Sequence, residues 1–120
     1  MARSLVVKVT CGLDDKERCN QAFTVAASAV AGGASVSLWL TGEAAWFALP
    51  ERAAGFSLPL ATPLDELLAA VIAGGQVTLC TQCAARRSIE EPDLLPGVRI
   101  AGAAVFAEEV LADGVQALVY

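Results

Sequence analysis

Two cysteines separated by two residues, Cys80-Thr81-Gln82-Cys83, form the group in this chain best suited to do chemistry. They follow Gln76-Val77-Thr78-Leu79, which reads as a buried strand, and open a short helix running from Gln82 to Arg87. At such a junction the first amides of the helix lack intrahelical acceptors, and the dipole favours negative charge. The same field lowers a thiol's pKa and raises its thiolate fraction near neutral pH. Arg86 and Arg87 add positive potential if their side chains fold back over the sulfur. The plainer reading makes Cys80 a small core residue and the arginines a solvated helix end.

Other candidates sit where the chain is expected to converge on the same crevice. In open parallel sheets ligands bind at the carboxyl ends of the strands, and Thr10-Cys11-Gly12 and Thr41-Gly42-Glu43 both end strand-like runs. Cys11, Gly12, Thr41 and Gly42 are therefore candidate site-lining residues, although Cys11 serves equally as an apolar filler. Cys19 falls on the apolar stripe of a helix and reads as packing. Trp46, with Phe47, either walls the pocket or packs in a core or an oligomer interface.

Three chemistries suit a C-x-x-C pair. Dithiol redox exchange of the thioredoxin type follows an early strand, usually with aromatic and proline neighbours, whereas this pair follows the third strand and encloses Thr-Gln. A zinc site needs two more ligands, and only Cys11 and Cys19 are left to supply them. The third option is a single nucleophilic thiolate that carries sulfur. The chain has no histidine, which removes Ser-His-Asp and Cys-His catalysis and His-containing zinc sites together.

Composition narrows the partners. Thirteen Asp plus Glu against eight Lys plus Arg give a net charge of −5, so the basic footprint needed to neutralise nucleic-acid phosphates is missing. Neither G-x-G-x-x-G nor the G-x-x-x-x-G-K-[ST] phosphate loop occurs, so nucleotide binding has no support from motif. The hydrophobic fraction is 56%, yet the apolar stretches from Ala22 to Ala34 and Pro63 to Gly75 are too short and too interrupted to span a bilayer. Met1-Ala2-Arg3-Ser4-Leu5 lacks the length and cleavage site of a secretory signal. A cytoplasmic protein without membrane or nucleic-acid partners is expected. In that reducing compartment four cysteines are more at home as reactive, metal-binding or buried thiols than as disulfides. Apolar content beyond the needs of a small core favours a homo-oligomer.

The elements that must hold the cysteine pair can be read in order. Leu5-Val6-Val7-Lys8-Val9 is a β-branched run fit for a strand buried on both faces. Asp14, with Glu17 three residues on, offers a capping box for a helix to about Ala31, closed by Gly32-Gly33. Its apolar positions are Cys19, Ala22, Phe23, Ala26 and Val30. Ser35–Leu40 reads as the second strand, followed by a short helix through Ala44 to Leu49 and a loop from Glu51 to Ala61. Thr62-Pro63-Leu64-Asp65 starts a helix with a hydroxyl cap and an N1 proline. Leu64, Leu67, Leu68, Val71 and Ile72 form its buried stripe, and Gly74-Gly75 ends it. After the third strand, Gln76–Cys80, come an acidic loop, a brief strand Arg99–Ala101, a helix Ala103–Ala112 and a last strand Gly114–Val119. Regular alternation predicts an α/β fold: one domain over residues 1–120, a three-layer α/β/α sandwich around a mostly parallel five-stranded sheet.

With the order of segments in view, the chain resembles the DsrE/DsrF-like family of sulfur-relay proteins. The likeness lies in Gly12-Leu13-Asp14-Asp15 before an Ala-rich helix, Leu38-Trp39-Leu40-Thr41-Gly42-Glu43-Ala44, Gln76 through Arg86, and Gly102-Ala103-Ala104 before the last helix. It covers nearly the whole chain and is strongest at the cysteine ending the third strand. The resemblance implies trimeric or hexameric assembly and a cysteine that accepts sulfane sulfur as a persulfide and passes it on. Cys80 matches that sulfur-carrying position and Cys83 a second cysteine found in some members. Sulfur donor and acceptor proteins are the implied partners, and no cofactor or metal is implied. The alternative is a non-catalytic oligomeric module binding a small ligand or partner segment, or a C-x-x-C redox or metal-binding protein.

Overall fold

The computed structural model describes residues 3–120; Met1 and Ala2, where the expectation about a secretory start begins, lie outside them. Five strands form one sheet: β1 (Ser4–Val9), β2 (Ser35–Leu40), β3 (Gln76–Cys80), β4 (Val98–Ala101) and β5 (Val115–Val119). Their order is β4-β3-β2-β1-β5, and every neighbouring pair is parallel. The helices are α1 (Lys16–Ala31), α2 (Leu64–Gly74), α3 (Thr81–Arg86) and α4 (Ala103–Leu111), with 3-10 helices at Gly42–Ala48 and Glu91–Asp93. Helices cover both sides of the sheet, giving the α/β sandwich expected from the sequence. No helix among the described residues is long and apolar enough to cross a membrane.

Side chains alternate across a strand, and the register sorts them into two unlike faces. Val7, Val9, Leu38, Leu40, Val77 and Leu79 turn to one side, where they share a core with Cys19, Ala22, Phe23 and Ala26 of α1 and with Leu64, Leu68 and Val71 of α2. This face is dry; burying such side chains contributes about 1.5–3 kcal/mol each. Phe23 meets Phe47 edge-on with ring centroids 6.0 Å apart, which ties the Gly42–Ala48 helix to α1.

The opposite face is polar. Lys8 pairs across the ladder with Trp39, Trp39 with Thr78, and Thr78 with Arg99, so all four point to the side that α4 crosses. Phe106 of α4 packs edge-on against Trp39 at 5.3 Å. Glu109, one turn on, accepts hydrogen bonds from Ser37 Oγ at 2.6 Å and Trp39 Nε1 at 3.0 Å. It also pairs with Arg99, whose Nε donates to Thr78 Oγ1 at 2.8 Å. Burial is the largest single influence on the Glu109 carboxyl and pushes its pKa up; the bonds from Ser37, Trp39 and Arg99 together outweigh it and leave the group below its ordinary value. A polar network under a helix is tolerated because its groups are satisfied.

The helix starts differ from those expected. Asp15, not Asp14, caps α1 by accepting the Arg18 N–H at 3.3 Å, and Asp14 instead accepts the Gly12 N–H at 2.7 Å, closing the turn after β1. Either aspartate offers a capping oxygen, but only Asp14 has an acid three residues on, and the turn geometry overrides that pattern. Thr62 does not cap α2: Pro63 takes the cap position and no side chain bonds the first amides. The short helix expected to open at Thr41-Gly42-Glu43 and run to Leu49 is a 3-10 helix over Gly42–Ala48, and α3 spans Thr81–Arg86 rather than Gln82 to Arg87. Val30, Leu67 and Ile72 are only part-buried at the rims of their stripes.

Candidate functional site

Cys80 is the last residue of β3 and the cap position of α3, with extended backbone angles. Its register partner is Ala101, and both belong to the set facing α4. Cys83, one helical turn on, is buried with Ala84 in the core shared with α1 and α2. Connections thus leave the neighbouring strands β3 and β4 toward opposite faces of the sheet. Such a switch leaves a crevice at the carboxyl ends, and Cys80 stands beside it, part-exposed rather than sealed.

The electrostatics of the Cys80 sulfur are set by its immediate neighbours. Burial is the largest influence and raises its pKa. Against it act the backbone N–H and thiol of Cys83, the backbone N–H of Gln82 and the positive charge of Lys8, and the net result lies below the ordinary thiol value. Hydrogen bonds to the charged form and a nearby cation are the two standard ways to stabilise a thiolate. Cys11 and Cys19 behave in the opposite way. Cys11 is raised by burial first and then by Asp15 and Asp14. Cys19, wholly buried, is pushed up to about 12 by burial, with Cys11 and the same aspartates adding to it.

Two expected site residues, Gly42 and Arg87, meet Cys83 rather than Cys80. The Gly42 N–H points to Cys83 Sγ at 3.3 Å. Gly42 has φ +51°, and a Cβ there would lie 2.3 Å from the Thr10 carbonyl oxygen, so only glycine lets the two strand-end loops close on one another. Gly12 is buried for a related reason: a Cβ would lie 2.7 Å from the Glu43 oxygen. The Thr41 hydroxyl is occupied, donating to the Val9 carbonyl at 3.0 Å. Cys11 lies in the core, 5% exposed.

The arginines do not fold back over Cys80. Arg87 donates from Nη1 to the Cys83 carbonyl at 3.2 Å and from Nη2 to Glu43 Oε2 at 2.7 Å, tying the end of α3 to the start of the Gly42–Ala48 helix. Arg86 is exposed in the last turn of α3. Trp46 lies between two guanidinium groups, Arg52 at 4.7 Å and Arg87 at 5.9 Å from the ring centroid. With Leu13, Glu43, Phe47 and Arg52 it lines a cavity of about 160 Å³. A larger cleft, about 520 Å³, opens at the other end of the strands around Ser4, Ser35, Gln76 and Glu109, away from any thiol.

The cation that acts on Cys80 is Lys8, which sequence reasoning passed over. In the sequence it reads as one position of a β-branched run, and a lone lysine among valines in a central strand is the signal that marks it. Among the described residues no cluster of three or more His, Cys, Asp or Glu side chains is arranged to hold a metal.

The fold has known counterparts. The crystal structure of the YchN protein from E. coli superposes with a TM-score of 0.80 at 20% identity, with each chain covered in full. A protein of unknown function, MTH1491 from Methanobacterium thermoautotrophicum, superposes at 0.66 with 13% identity and the same full coverage. These likenesses carry the fold alone. No curated protein matches the sequence. The model of the DsrE/DsrF-like family matches residues 4–119, and with that match spanning almost every residue, strand-end cysteine included, the chain belongs to the DsrE/DsrF-like family.

Proposed function

We propose that the chain is a sulfur carrier in which Cys80 holds sulfane sulfur as a persulfide. The observation that carries this reading is the environment of Cys80: a part-exposed thiol at the carboxyl end of β3, with two backbone N–H groups, a second thiol and a lysine ammonium favouring its thiolate. Family membership supports sulfur relay as the general activity. The Cys80 thiolate attacks the outer sulfur of a donor persulfide R–S–SH; the new S–S bond gives Cys80–S–SH and the donor leaves as R–S⁻. An acceptor thiolate then takes the outer sulfur and restores the Cys80 thiolate. Because a perthiol is more acidic than a thiol, the carrier stays anionic when loaded, and the donors aimed at Cys80 serve both states.

A second reading is favoured by the contact between the Cys83 thiol and the Cys80 sulfur. Attack of the Cys83 thiolate on the inner sulfur of Cys80–S–SH closes a Cys80–Cys83 disulfide and expels HS⁻, and two external thiols, oxidised to their own disulfide, return Cys80 and Cys83 to thiols. The proposal further places the chain in the cytoplasm as a homo-oligomer, trimeric or hexameric, working between a sulfur donor and an acceptor. Exposed Leu13, Leu111, Leu118 and Val119 offer apolar surface for assembly, and light scattering reads its size.

Peptide mass spectrometry after incubation with inorganic polysulfide tests the carrier step. One added sulfur on Cys80, lost in Cys80→Ser, is expected; a folded wild-type chain that takes none removes the reading.

A further inference from the structure

Lys8 is an anomaly in its strand. It sits between Val7 and Val9, both wholly buried, in a strand with neighbours on both sides. The ammonium lies 5.1 Å over the Phe106 ring. Among the described residues it has neither a carboxylate within ion-pair reach nor a hydrogen-bond partner. A part-buried cation is costly unless an anion compensates it, and the aromatic face supplies only part of that compensation.

The register shows where the missing anion belongs. Lys8 and Thr78 lie on the same face, linked through Trp39, and Cys80 is the next residue on that face of β3. The offset is two strands across and two residues up, roughly 10 Å and 7 Å between backbones, and the four-carbon stem of a lysine takes up much of it. The other charged groups facing this patch are Arg99 from β4 and Glu109 from α4, already paired with one another. Glu108 of α4 is exposed to solvent.

We propose that Lys8 is a positioning residue, the counter-ion that holds the sulfur anion on Cys80 in its thiolate and persulfide states and that selects anionic sulfur compounds at the crevice. The inference rests on Cys80 being the sulfur-bearing residue. It accounts for the unpaired cation and for its place on the polar face, and its charge adds to the Cys83 and Gln82 hydrogen bonds that lower the thiol against burial. It also explains why Arg86 and Arg87, nearer in sequence, are not needed there.

The test reads Cys80 alkylation by peptide mass spectrometry in wild type, Lys8→Met, Lys8→Gln and Lys8→Arg, each checked for folding by circular dichroism. With neutral iodoacetamide, Lys8→Met and Lys8→Gln raise the midpoint of the pH profile by about half a unit, and Lys8→Arg restores it. The rate ratio of anionic iodoacetate to iodoacetamide falls about threefold in the uncharged variants. A folded Lys8→Met or Lys8→Gln chain with unchanged midpoint and ratio overturns the inference. Alkylation reads the thiolate whether or not sulfur moves, so the two ideas fail separately. If wild type takes no sulfur from polysulfide while Lys8 still shifts the profile, the carrier reading falls and the counter-ion stands.

Discussion

The two faces of the sheet hold the same reactive residue type and treat it in opposite ways. On the α1/α2 face, Cys11 and Cys19 lie among aliphatic side chains with aspartates at the margin, and burial drives their thiols up. At the margin of the α4 face Cys80 is also disfavoured by burial, but directed donors and an ammonium reverse the balance. Chemistry here is decided by what the neighbours can donate, and far less by depth in the protein.

The largest effect that can break this comparison is a rate. At pH 7, iodoacetamide should modify Cys80 more than about a thousandfold faster than Cys19 in the folded chain, from thiolate fraction alone. Equal labelling of the two by peptide mass spectrometry would erase the distinction between the faces. Next comes packing. Phe23→Ala on the dry face should cost about 3–5 kcal/mol in urea unfolding, whereas Thr78→Val on the polar face removes one acceptor from Arg99 and should cost about 1–2 kcal/mol. A Thr78→Val chain as destabilised as Phe23→Ala would mean that the polar network holds the fold as strongly as the apolar core does.

The smallest effect is a pH dependence. Glu109 has its pKa lowered in the folded state, so the stability it contributes is present above the ordinary carboxylate value of 4.5 and is lost as pH falls below that value toward the folded one. Glu109→Gln should remove about 1–2 kcal/mol at pH 7, after discounting for partial exposure. It should also flatten the decline of urea midpoints below about pH 4.5. An acid limb as steep as the wild type's would assign that decline to other carboxylates.

Much of this arrangement was legible in the sequence. Ser35–Leu40 and Gln76–Cys80 appear as strands with the expected limits, since each is a continuous run released by a glycine pair. The position of Cys80 at a strand-to-helix junction followed from the same punctuation. What was not legible depends on register. Nothing in the local sequence says that Lys8 and Cys80 share a face, because that requires knowing that β2 lies between β1 and β3 and how each is aligned. For the same reason the sequence leaves open whether the arginines fold back over Cys80 or end the helix in solvent, and it is Glu43, distant in sequence, that captures Arg87.

The place of β5 in the sheet has a dynamic consequence. It is one of two edge strands and the more exposed of them, at four of its five positions, and is held by β1 alone through a pairing that joins residue 4 to residue 115. A strand held from one side across so long a loop frays at lower cost than the interior of the sheet. Its amides should be the first of the sheet to exchange with deuterium. The Lys8 carbonyl accepts the Tyr120 N–H at 2.9 Å, so each opening also loosens the backbone that aims the ammonium. Breathing at the rim would therefore modulate sulfur chemistry three strands away while β3 itself stays closed.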